Sequence, residues 1–384
     1  MFLGKNGNSK IRVLVVDDSA LARKILTAGL SADHRLEVVG TASNPAIAFD
    51  LLGKLLPDVM TLDIEMPGMD GVTFLRKFMP LLPTPTVVVS SLAETGKKMA
   101  LDALEAGAVD IVTKPKIGVS DGLPLLMGDI CDRVVNAAKT DVSHYRRILP
   151  QSAAKTRNKP WASSKMNPFV QTSDFTNHAD PPPLENNAMH ETTDRVIAIG
   201  ASAGGVATLA NIIPMFPADS PGIVIVQHMP GGFTTSFASR LNSLAAMQVK
   251  EAENGDRVRQ GLILLAPGGD YHLEVHRSGG EYRVALLVGN KVSGHRPSVD
   301  VMFHSIAKNV GRNAAAAILT GMGEDGADGL LAIRLTGGHT FAQDEQTCVV
   351  FGIPAAAWKR GAAEMLLPIQ DIPYHLLKAV KPPV

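Results

Sequence analysis

Apolar and polar positions along this chain form two patterned blocks with an unpatterned stretch between them. From residue 10 to 136, short aliphatic runs alternate with amphipathic stretches. Residues 11–16, 36–39, 59–62, 86–89 and 108–112 read as strands. Between such runs, Leu21, Ile25 and Leu26, or Met99, Leu101 and Leu104, recur at helical spacing. Five strand–helix repeats predict an α/β domain with a five-stranded, doubly wound parallel sheet covered on both faces.

The periodicity fails from 137 to 193, where Ser, Thr, Asn, Lys and Pro dominate and Pro181-Pro182-Pro183 closes the stretch. This composition predicts a partly extended linker. Trp161 and Phe169 are unusual in a plain spacer and fit a docking role as well as an incidental one. Alternation then resumes over 194–384. Runs at 196–199, 223–226, 262–265 and 314–319 read as buried strands, and 273–276 with 282–288 as a hairpin about Ser278-Gly279-Gly280. A second doubly wound domain follows, mainly parallel with some antiparallel strands.

Composition narrows the function classes. The 384 residues carry 37 Lys plus Arg against 37 Asp plus Glu, so bulk charge predicts no nucleic-acid partner. The N-terminus lacks a long apolar core of a signal peptide, and no apolar run is long enough to span a bilayer. A cytoplasmic protein with no direct membrane insertion is expected. Cys131 and Cys348, one in each block, then read as buried thiols rather than a disulfide.

Chemistry concentrates at the predicted strand ends. In the first block Asp17 and Asp18 follow one strand and Asp63 another. Three carboxylates at one sheet edge repel unless a cation joins them, and an all-oxygen set favours Mg²⁺. An aspartate there can also accept a phosphoryl group covalently. Ser90 ends the fourth strand and Lys114 follows the fifth, a hydroxyl and an ammonium able to contact that group. In the second block Gly200-Ala201-Ser202-Ala203-Gly204 makes a strand-to-helix turn that would expose the serine hydroxyl. His228 follows the next strand, and Asp325 follows the run at 314–319. If those strands are neighbours, the three form a nucleophile, base and orienting acid. The order Ser, His, Asp differs from that of α/β-hydrolases, and Asp270, Asp300 and Asp328 compete as the acid. The Met322 amide and Gly204 are candidate oxyanion and substrate-binding positions. A dinucleotide site is weak, since Ser202 stands where the fingerprint needs its middle glycine. No HExxH or paired-cysteine arrangement supports zinc.

The first block, with Asp17-Asp18, Leu62-Asp63, Met66-Pro67-Gly68-Met69-Asp70-Gly71 and Lys114-Pro115, resembles the receiver domain of two-component response regulators. That resemblance implies phosphorylation of Asp63 by a histidine kinase, metal ligation by Asp17, Asp18 and Asp63, and phosphate sensing by Ser90 and Lys114. The second block resembles the CheB-type protein-glutamate methylesterases of chemotaxis. It shares Gly200–Gly205, Gln227-His228-Met229-Pro230, Phe233-Thr234, Ala266-Pro267-Gly268-Gly269, His295-Arg296-Pro297-Ser298-Val299-Asp300, Leu319-Thr320-Gly321-Met322-Gly323 and Thr347-Cys348-Val349-Val350-Phe351-Gly352. Ala203 departs from the threonine that many members carry. The resemblance implies Ser202, His228 and Asp325 as the catalytic residues, hydrolysis of glutamyl methyl esters on methyl-accepting chemoreceptors with release of methanol, deamidation of receptor glutamines, and no cofactor for the esterase. Two other readings remain: a receiver-controlled interaction protein with a vestigial site, and a receiver-regulated oxidoreductase.

Overall fold

The structure, a computed structural model, describes residues 9–90, 94–114, 119–140, 142 and 195–380. The linker with Trp161, Phe169 and its three prolines lies almost wholly outside the described residues, as do the first eight residues and Pro115.

The N-terminal domain runs β1 (Ile11–Val16), α1 (Ala20–Ala32), β2 (Leu36–Ala42), α2 (Pro45–Leu55), β3 (Val59–Asp63), α3 (Gly71–Phe78), β4 (Thr86–Ser90), α4 (Glu94–Glu105), β5 (Asp110–Thr113) and α5 (Val119–Ala137). Its strands pair in parallel in the order β2-β1-β3-β4-β5. Val13, Leu14, Val15 and Val16 are buried on both faces, which is why β1 reads as a continuous apolar run. Ser19 caps α1 by accepting from the Ala22 amide, and Asp70 caps α3 by accepting from the Thr73 amide. Glycine is required after that second cap: a Cβ on Gly71 would lie 2.5 Å from the Asp63 carbonyl oxygen.

The C-terminal domain runs β6 (Val196–Ala201), α6 (Gly205–Ile212), β7 (Gly222–Gln227), α7 (Thr234–Leu244), β8 (Gln248–Glu251), β9 (Arg257–Val258), β10 (Leu262–Leu265), β11 (Tyr271–Ser278), β12 (Glu281–Val288), α8 (Val299–Asn309), β13 (Ala314–Ile318), α9 (Ala327–Leu335), β14 (His339–Gln343), α10 (Ile353–Lys359), β15 (Met365–Leu367) and α11 (Ile372–Ala379). Seven strands form one parallel sheet in the order β15-β14-β13-β6-β7-β10-β8. The antiparallel additions are a separate sheet, β11-β12-β9, beside it. The strand order reverses direction between β13 and β6, so the carboxyl ends of β13, β6 and β7 open on the crevice where such folds place ligands.

The domains touch along helices. α4 of the first packs against α6 and α7 of the second, and Arg240 on α7 pairs with both Asp102, at 2.5 Å, and Glu105 on α4. Cys131 is a buried thiol and Cys348 a half-buried one, both unbridged. Among the described residues no helix is long and apolar enough to cross a membrane.

Candidate active site

β6, β7 and β13 are neighbours, so the three candidate residues at their ends meet. Backbone bonds fix the turn at Ser202 first. The Ser202 amide donates to the Thr320 carbonyl at 3.0 Å, and the Gly205 amide closes back on the Ser202 carbonyl at 2.8 Å. The buried Gln227 then bridges two partners, its Nε2 donating to the Ser202 carbonyl at 2.8 Å and the His228 carbonyl at 3.0 Å. The turn admits no bulk. Gly204 has φ of 77°, and a Cβ on Gly321 would sit 2.7 Å from the Ser202 Cβ. That contact brings the start of the Gly321-Met322 loop against the serine. Met322 follows it, and its amide makes no backbone hydrogen bond among the described residues.

The side chains complete a chain of hydrogen bonds. His228 Nδ1 lies 3.1 Å from Ser202 Oγ, and His228 Nε2 lies 2.7 Å from Asp325 Oδ2. Asp325 is 1 % exposed, so its charge needs partners. It has three besides His228: Ser298 Oγ donates at 2.6 Å, the Val299 amide at 2.8 Å and the Asp300 amide at 3.2 Å. These are the first groups of α8, whose N-terminus favours a negative charge. Burial pushes the Asp325 carboxyl up, but the bonds from His228, Ser298 and Val299 outweigh it and hold its pKa at about 2. A fixed carboxylate accepts, so His228 carries its proton on Nε2 and leaves the Nδ1 lone pair for the serine. The serine proteases use the opposite nitrogens. The competing acids are engaged elsewhere. Asp300 accepts from the Gly329 amide, Asp270 pairs with Arg296, and Asp328 with Arg360.

Sequence reasoning gave no role to Gln227, Gln343, His295 or Ser298. Gln343 is buried with its Oε1 accepting from the Thr320 amide at 2.8 Å, which steadies the loop under Ser202. The His295 ring stacks on His228, centroids 3.7 Å apart and planes 9° off parallel. Ser298 alone had a local signal, a serine just ahead of an amphipathic helix.

In the N-terminal domain Asp17, Asp18 and Asp63 gather at the switch between β1 and β3, with ligand oxygens all within 4.8 Å of one another. Lys114 Nζ reaches both Asp17, at 2.9 Å, and Asp63, at 2.7 Å. Burial raises the Asp63 pKa to about 6; Lys114 opposes that and Asp17 adds to it. Arg23 donates to the Asp17 and Asp18 carbonyls at 2.7 and 2.9 Å and holds the acidic turn in place. Ser90 closes β4, but its side chain lies outside the described residues.

Two known domain families match separate parts of this chain. Residues 13–118 match the response regulator receiver domain, and residues 197–376 match the CheB methylesterase domain. A protein of Syntrophotalea carbinolica named protein-glutamate methylesterase/protein-glutamine glutaminase is 50 % identical over 363 residues, which span 94 % of this chain and 96 % of that one. One of that name from a group 2 operon of Cereibacter sphaeroides is 50 % identical over 370 residues, 96 % of this chain and 92 % of that one. The solved CheB methylesterase catalytic domain of Thermotoga maritima is 41 % identical and covers 48 % of this chain and 97 % of its own, with a TM-score of 0.47. With half its residues shared over nearly its full length, this chain belongs to the family of receiver-linked CheB methylesterases.

Proposed function

We propose that this protein hydrolyses glutamyl methyl esters on methyl-accepting chemoreceptors, releasing methanol, and deamidates receptor glutamines at the same site. The observation that carries the reading is the His228 ring spanning Ser202 Oγ and the buried Asp325 carboxylate. Ser202 Oγ attacks the γ-carbonyl while His228 Nδ1 takes its proton. The carbonyl oxygen becomes an oxyanion facing the Met322 amide and the backbone at Gly204. Collapse of that intermediate expels methanol, or ammonia from glutamine, with the proton returned by His228. Water, deprotonated by the same nitrogen, then cleaves the acyl-serine to glutamate and free Ser202. Asp325 orients the ring and compensates the imidazolium, and it stays ionised throughout.

The domains divide at 10–136, 137–193 and 194–384 in this reading. Asp63 is the phosphoacceptor, with a chemotaxis histidine kinase as donor. The donor set at Asp17, Asp18 and Asp63 fits Mg²⁺, an all-oxygen cluster of hard ligands. When bound, Mg²⁺ neutralises the charge of an incoming phosphoryl group. Lys114 then holds the phosphoryl oxygens and Ser90 follows them. Among the described contacts, α4 lies two elements from Asp63 and rests on α6, the helix that starts three residues after Ser202. Phosphorylation acts through that contact. Methanol release from methylated receptor membranes, with and without a small phosphodonor, tests the whole reading. Absence of phosphodonor-stimulated release by the intact protein would overturn it.

A further inference from the structure

Within the Ser202–His228–Asp325 unit, His295 has no part so far. It comes from the segment joining β12 to α8. That segment begins as a tight turn. The Val292 and His295 backbones exchange both hydrogen bonds, at 3.0 and 2.9 Å. The two residues between them, Ser293 with φ of 52° and Gly294 with φ of 82°, are both left-handed, as a two-residue turn of this hand requires. A non-glycine residue at positive φ persists only where its surroundings hold it. Here Arg296 does so, with Nη1 donating to the Gly289 carbonyl at 2.6 Å and Nε to the Gly269 carbonyl at 2.7 Å. Three residues past His295, Ser298 and the start of α8 grip Asp325. One short segment therefore fixes the acid of the unit at one end and lays a ring flat on its base at the other.

The geometry leaves His295 a definite task. His228 is tied at two edge atoms, Nδ1 to Ser202 and Nε2 to Asp325. Two edge bonds still permit a ring to tilt about the line between them, and tilting swings the Nδ1 lone pair off the serine proton. A second ring parallel to the first at 3.7 Å blocks that motion on one face. The charge on the second ring matters too. Burial first, then the neighbouring His228, with Arg133 and Lys291 adding, lower the His295 pKa to about 3, against the opposing pull of Asp325. An imidazolium forming on His228 thus meets a carboxylate at its edge and an uncharged ring on its face.

We propose that His295 is a positioning residue for the esterase, its ring stacked on His228 to hold the plane in which that base faces Ser202 and Asp325. The proposal rests on the reading of Ser202, His228 and Asp325 as one catalytic unit. It requires a flat ring at position 295, and no ring nitrogen in contact with substrate.

Three variants of the full chain test this by methanol release from methylated receptor membranes with a phosphodonor present: His295→Gln, His295→Phe and Ser202→Ala. His295→Gln keeps a polar side chain but no ring, and kcat should fall about ten- to a hundredfold while KM stays within about threefold. His295→Phe keeps the ring, and kcat should remain within about fivefold of the parent. Its pH–rate profile between about pH 5 and 9 should match the parent's, because the group removed does not titrate there. The far-downfield proton of the His228–Asp325 hydrogen bond should persist in His295→Phe and exchange away in His295→Gln. If His295→Gln fails to fold, the His295→Phe kinetics and its proton resonance decide the matter. A His295→Gln enzyme as fast as the parent would overturn the proposal. So would a loss confined to KM, or a folded His295→Phe enzyme with a kcat loss of a hundredfold. Substantial methanol release by Ser202→Ala would instead overturn the catalytic reading beneath it, and the proposal with it.

Discussion

Asp63 and Asp325 are the same residue type in similar positions. Each is buried at the carboxyl edge of a parallel, doubly wound sheet, Asp63 on the last residue of β3 and Asp325 past β13. Their pKa values nevertheless move in opposite directions, to about 6 and about 2. The difference lies in what surrounds them. Asp325 receives two backbone amides of a helix N-terminus, a serine hydroxyl and an imidazole. Among the described residues Asp63 has a single backbone donor, the Glu65 amide at 3.3 Å, and it shares Lys114 with a second carboxylate. One edge is arranged to keep a charge fixed while protons move beside it. The other holds a charge in poor company, an environment that a cation or a phosphoryl group improves. A sheet edge therefore offers a location, and the loops decide whether an acid there is a fixed support or a switch.

The sharpest break of this comparison is removal of the groups that Asp325 supports. Ser202→Ala should abolish methanol release, a loss of several powers of ten, with the melting temperature little changed. Asp325→Asn should cost about 10²- to 10⁴-fold in kcat, less than Ser202→Ala, since the Ser–His pair and the oxyanion donors remain. It should also destabilise the domain, because the Ser298 hydroxyl and the first amides of α8 lose a charged acceptor.

On the switch side, Asp63→Asn should leave basal release intact and eliminate the response to a phosphodonor. Deleting residues 1–138 should raise basal release by tenfold or so if the docked receiver restrains the site. Equal rates for the isolated catalytic domain and the unphosphorylated parent would show instead that phosphorylation stimulates directly.

Titration separates the two acids as well. The depressed Asp325 contributes stability above about pH 4 that is lost as the pH falls toward 2. The raised Asp63 has the opposite sign. Stability falls as the pH rises from about 4 to 6, because the folded domain binds the proton that the unfolded chain has released. In metal-free buffer, Asp63→Asn should therefore flatten acid-to-neutral melting curves of the full chain by an amount corresponding to about 2–3 kcal/mol. The smallest effect is expected at the domain contact. Arg240→Ala removes two partly exposed ion pairs, worth about 1 kcal/mol together, and should raise basal methanol release only a few-fold.

Much of this was legible in the sequence because strand ends are. Strongly aliphatic runs gave β1, β3, β6, β7, β10 and β13, and the polar residues following all of these but β10 named the candidates. The edge strands β8 and β15 and the two-residue β9 escaped, being short. β14 escaped for a different reason. His339-Thr340-Phe341-Ala342-Gln343 is buried along most of its length, yet three of its five residues are polar. Thr340 is satisfied by the Ala362 carbonyl and Gln343 by the Thr320 amide, both distant in sequence, and Gln343 also by the nearby Thr347 carbonyl. Hydropathy cannot reveal a polar strand whose partners come from elsewhere. The same holds at the site. Ser202, His228 and Asp325 announce themselves by position, whereas Gln227 and His295 act through contacts that only folding creates.

α6 has two employments. Its first turn begins beside Ser202, and its outer surface carries α4 of the receiver. A substitution on that surface is read twice, once by the receiver that leans on it and once by the Ser202 turn it anchors. Drift in α6 and α7 must then be matched by drift in α4. Receivers exchanged between relatives should accordingly yield enzymes that still turn over substrate but answer poorly to phosphorylation. Inheritance of the two domains as one chain keeps that matched pair together.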